Sequence, residues 1–113
     1  MNIDDFEAKK TSFLKTETPS PMISFLVDER YALAVPYIAL AQVEWSGLED
    51  NREAVTLNTG EIIVNVVGKN LRSLFTAISR HLVEMVQVCP AAKYAVEEIV
   101  LSDTGDVAKV EGK

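Results

Sequence analysis

The strongest pattern along the chain is a set of apolar residues at helical spacing. Leu71, Leu74, Phe75, Ile78, Leu82, Met85 and Val86 recur every three or four positions, with Arg72, Ser73, Thr76, Arg80, Glu84 and Gln87 on the opposite side. That period predicts an amphipathic α-helix over about 70–88 whose Leu/Ile/Met stripe packs on a sheet. Asn70 stands where an N-cap is expected. Pro90 stops the helix, and Cys89 before it is pushed towards extended backbone.

Before this segment the pattern changes to short runs of strand-forming residues. Met22 to Val27 and Tyr31 to Val35 read as two strands of a hairpin turning at Asp28-Glu29-Arg30. Pro36 ends the ladder and suits the first position of a helical turn over Tyr37 to Leu40. Gln42 to Trp45 then reads as a strand, with a single helix over 36–45 as the alternative. Ala54 to Thr59 and Glu61 to Val67 form the clearest hairpin, because Gly60 supplies the positive φ a tight turn needs. Ile62, Ile63, Val64, Val66 and Val67 put apolar groups on both faces, the mark of a central, covered strand. Tyr94 to Leu101 alternates as a final strand.

Residues 1–21 form a polar arm, partly disordered or folded as a short helix that Asp4 caps and that runs through Phe6, Ala8, Phe13 and Leu14. Thr16 to Pro21 is its extended, proline-bearing linker. Residues 22–102 then make one domain and 103–113 a flexible tail. The fold class that follows is α+β: a small, mostly antiparallel sheet, one long helix on one face, and a last strand after it. One helix covers one face only. The arm or a second copy of the chain must cover the other, and a homodimer is the expectation.

Composition narrows the function classes. The chain has 113 residues, 48% hydrophobic and 25% charged, which suits one globular domain. Its net charge of −6 opposes general affinity for nucleic acid. The charge is uneven, however: Lys69, Arg72 and Arg80 face only Glu61 and Glu84 within residues 61–88. A single cysteine excludes an intrachain disulfide and agrees with a reducing compartment. No apolar run reaches the ~20 residues of a membrane span. The N-terminus lacks the basic start and apolar core of a signal peptide, so a cytoplasmic protein with no membrane partner is expected.

Candidate chemistry is sparse. His81, the single histidine, falls at the rim of the helix stripe with Glu84 as its one local carboxylate, so a boundary packing role outweighs acid–base work. Cys89 at a helix C-terminus is disfavoured as a thiolate. One His and one Cys argue against zinc, and Glu49-Asp50 with Glu53 lack the spacing of a calcium loop; no metal and no cofactor are expected. Gly68-Lys69 resembles the end of a phosphate loop, but Ile63 and Asn70 occupy positions that need Gly and Ser or Thr. What remains is an anion site at the helix start, from Lys69, Asn70 and Arg72 with Arg80 further along. Tyr31 and Trp45 read as core aromatics. Tyr37, beside rigid Pro36, is the aromatic expected at an exposed edge, where it could meet a ligand. The leading functional expectation is a non-catalytic protein-binding or assembly module. An accessory nucleic-acid binder using residues 69–80 comes second, and a small enzyme built on His81 third.

Overall fold

A computed structural model describes residues 11–103. Among them are eight strands and one helix, a mixed α+β arrangement in two antiparallel-dominated sheets. The strands are β1 (Phe13–Lys15), β2 (Met22–Asp28), β3 (Tyr31–Pro36), β4 (Gln42–Gly47), β5 (Glu53–Asn58), β6 (Ile62–Lys69), β7 (Val83–Gln87) and β8 (Ala95–Asp103). The helix, α1, spans Arg72–Ser79 between β6 and β7. The first sheet runs β1-β7-β2-β3 and the second β4-β5-β6-β8.

Both hairpins form for local reasons. Between β2 and β3 the Asp28 carboxylate accepts from the Arg30 amide at 2.7 Å and tightens the turn. Between β5 and β6 the Asn58 side chain accepts from Gly60 N–H at 2.7 Å, and Gly60 takes φ +91°. Tyr37–Ala39 is a single 3₁₀ turn after Pro36, and β4 follows it, so the turn-and-strand reading of residues 36–45 describes this segment. β6 lies between β5 and β8, as its apolar run implies.

The two sheets share one core. Ile23, Phe25, Val35, Val83 and Val86 from the first meet Val55, Leu57, Val64, Val66, Val96 and Ile99 from the second. Leu71, Leu74, Ala77 and Ile78 join the same cluster, and α1 touches β4 of one sheet and β7 of the other. The single sheet with a helix across its face is therefore replaced by two sheets that cover each other.

The long helix over 70–88 is corrected. It ends at Ser79, with Arg80 as its C-cap. His81 takes the left-handed conformation (φ +61°), and the turn closes through His81 N–H to Ile78 carbonyl at 2.9 Å and Leu82 N–H to Ala77 carbonyl at 2.9 Å. This double bond pattern is the Schellman stop, with His in the place usually taken by Gly. Val83 to Gln87 is then a strand held on both sides, antiparallel to β1 and parallel to β2. Two neighbouring ladders outweigh a continued helix, and Val83 and Val86 are β-branched residues that suit a pleat.

The arm is corrected in part. Residues 1–10 of the expected short helix lie outside the described residues, as do residues 104–113 of the expected tail. Phe13 and Leu14, placed in that helix, stand in β1 and pair with Val86 and Met85. The linker after them is tied down, with Thr16 N–H bonded to Leu82 carbonyl and Ser20 N–H to His81 carbonyl.

Candidate functional site

The start of α1 was the first expected anion site, and the protein fills it with its own anion. Leu71, not Asn70, is the N-cap residue, and no side chain of its own caps the turn. Glu53 reaches over from β5. Its Oε1 accepts from the Leu71 amide at 2.7 Å and from Trp45 Nε1 at 2.9 Å. Arg72 lies over the Trp45 ring, 4.3 Å from its centroid. Burial raises the Glu53 pKa, but hydrogen bonds from Trp45, Leu71 and Asn70, with the Arg72 charge, outweigh it and hold the carboxyl below its ordinary value. Asn70 itself sits at φ +63°, its side chain donating to Lys93 carbonyl at 3.1 Å. That bond ties the end of β6 to the segment before β8. Lys69 ends β6, paired with Ala95 and exposed.

Tyr37 is buried, where the sequence placed it at an exposed edge; its neighbour Ile38 is the exposed residue, at 95%. The Tyr37 hydroxyl donates to Val83 carbonyl at 2.6 Å and accepts from Val83 N–H at 3.2 Å. It thereby pins the 3₁₀ turn to β7. Burial pushes its pKa up to about 12, the hydrogen bond that Val83 donates opposing only part of that rise. The exposed His81 ring stacks on Tyr37, centroids 4.4 Å apart. A groove of about 250 Å³ beside the pair is lined by Leu40, Gln42, Val43 and Ile78 among others, with no carboxylate. Tyr37 and His81 thus form a packing pair beside a groove that no carboxylate lines. Among the described residues no group of three or more His, Cys, Asp or Glu side chains could hold a metal ion. No helix among them is long and apolar enough to cross a membrane.

Arg72 and Arg80 do come together, in company the sequence reading missed. They line a cleft of about 270 Å³ with Ser73, Thr76 and Lys15. Lys15 and Ser73 also line an adjoining cleft of about 480 Å³, with Ser12, Phe13, Lys93 and Tyr94. Lys15 and Lys93 lie 78 positions apart in the chain. No local pattern links them; the β1–β7 pairing and the bond from Asn70 to Lys93 carbonyl bring their segments to α1.

The outer faces of the two sheets differ. On the first sheet, Leu14, Met85, Ser24 and Ala34 stand in one cross-strand row. The flanking rows pair Met22 with Pro36 and Leu26 with Ala32. None of these eight side chains is charged, and Met22, Ala32, Ala34 and Pro36 are exposed. Lys15 and Glu84 adjoin the row only where the β1–β7 register slips. The equivalent row of the second sheet reads Glu44, Thr56, Asn65 and Val100, and its neighbour carries Glu98. Comparison with protein-family models, with curated proteins and with solved structures yields no match for this chain in any of the three.

Proposed function

We propose that this protein is a non-catalytic binding and assembly module that pairs with a second copy of itself through the outer face of its first sheet. The uncharged rows around Leu14, Met85, Ser24 and Ala34 carry the proposal. Each copy has a net charge of −6, so self-association is least opposed where no acid is presented. A two-fold interface joins the same patch on both copies, which suits rows of side chains without charge signs to match. Strand β3 is also an edge strand, and Tyr31 to Val35 carries none of the charges that usually protect edges. A reducing, cytoplasmic setting belongs to the same reading and is supported by half-buried Cys89, the single thiol.

The test is the mass in solution. Light scattering at micromolar concentration is expected to give a dimer for the native chain. Ala34→Asp puts a charge at an exposed position of the row and is expected to give a folded monomer. A monomer for the native chain, or an unchanged dimer for Ala34→Asp, overturns the proposal.

A further inference from the structure

We infer that the 480 Å³ cleft beside β1 and α1 is a binding site for a small aromatic anion. The inference does not depend on the assembly reading. Its first support is charge segregation. In a chain of net charge −6, the two adjoining clefts are lined by Lys15, Lys93, Arg72 and Arg80, and no carboxylate lines either one. Among the described residues Lys15 and Lys93 form no ion pair, so their charge is available. Two ammonium groups over one cleft attract an anionic head group, and Ser73 adds a hydroxyl donor from α1.

The second support is the apolar wall. Phe13 and Tyr94 pack against each other there, ring centroids 5.6 Å apart, with Lys93 Nζ 5.4 Å from the Tyr94 ring. A flat apolar body lies favourably along such a pair. The volume is that of a site for a small organic molecule, while the neighbouring cleft of about 270 Å³ falls below that range. The third support is Ser12. It is 2% exposed, it lines this cleft, and its hydroxyl has no hydrogen-bond partner among the described residues. Buried hydroxyls are rarely left unpaired, and a ligand oxygen seated in the cleft would supply the missing acceptor. The start of α1 contributes nothing here, because the Glu53 carboxylate already occupies it.

Four probes test the site on the full chain by amide chemical-shift titration: phenyl phosphate, benzoate, phenol and inorganic phosphate. Titration runs to about 10 mM, enough to saturate a site of millimolar Kd. Phenyl phosphate or benzoate is expected to move the signals of Ser12, Ser73, Lys93 and Tyr94 saturably, and which of the two binds tighter tells phosphate from carboxylate. Phenol and inorganic phosphate, each lacking half of the recognised chemistry, are expected to bind at least about tenfold more weakly. Lys15→Ala with Lys93→Ala removes two exposed side chains and is expected to weaken binding by about tenfold or more, while shifts far from the cleft stay in place. No saturable shifts at the cleft with either anion overturns the inference. So does phenol or inorganic phosphate binding as well as they do, or a double variant that binds unchanged.

Discussion

Glu53 is the side chain on which the start of α1 depends, and Glu53→Ala removes its support at one stroke. The carboxylate accepts from the Leu71 amide at 2.7 Å and the Trp45 indole at 2.9 Å. A hydrogen bond to a charged acceptor contributes about 1.5–3 kcal/mol. Glu53 is half-buried, so water replaces part of each bond and the lower end applies. Two bonds at the lower end make about 3 kcal/mol. At about 4 °C per kcal/mol for a domain of this size, the midpoint of thermal unfolding falls by about 12 °C. Glu53→Gln keeps an oxygen in the same place and loses the charge; neutral bonds are about half as strong, so about half the loss is expected. Circular dichroism melts and urea unfolding measure both. Acid adds a second readout. The Glu53 carboxyl lies below its ordinary value of 4.5 in the folded protein, so the unfolded chain takes the proton first as pH falls. The Glu53 contribution is whole above about pH 4.5 and is lost as pH falls through the folded value. Glu53→Gln should therefore flatten the acid limb of the stability curve. A loss below about 0.5 kcal/mol for Glu53→Ala, within the range of an ordinary surface change, would refute the capping role.

Other substitutions probe the remaining joints. Tyr37→Phe strips both bonds to the Val83 backbone and is expected to cost about 1–3 kcal/mol in urea unfolding. In the native protein one tyrosine should resist ionisation until about pH 12; its stabilising effect is complete below pH 10 and declines as pH rises through 12, which absorbance titration reads directly. At His81, φ +61°, a β-branched Val is strained and should cost about 2 kcal/mol. His81→Gly relieves the backbone while losing the Tyr37 stack and should stay within about 1 kcal/mol of native. Gly68→Ala would drive its Cβ into the Ala95 carbonyl oxygen at the slip in the β6–β8 register, so expression of folded protein should drop sharply.

Much of this fold is legible in the order of residues alone. The β2–β3 and β5–β6 hairpins follow from runs of strand formers bounded by Asp28 and by Asn58 with Gly60, because a hairpin needs only its own turn and its two neighbours. Pro36 places the short turn, and the two-sided apolar run of β6 places it centrally. The half of α1 that forms is legible too, in Leu71, Leu74 and Ile78. The segment after it is not. Leu82, Met85 and Val86 extend the helical spacing, yet Val83 and Val86 serve a strand equally well. Only the docking of β1 and β2 on either side decides between them, since their hydrogen bonds come from residues about 60 to 70 positions away. The same distance hides the chemistry. Glu53 caps a helix 18 positions further on, and Lys15 and Lys93 line one cleft from opposite ends of the chain. Local spacing encodes faces and turns; which charged ends of which segments finally stand together is set by how the two sheets close over one core.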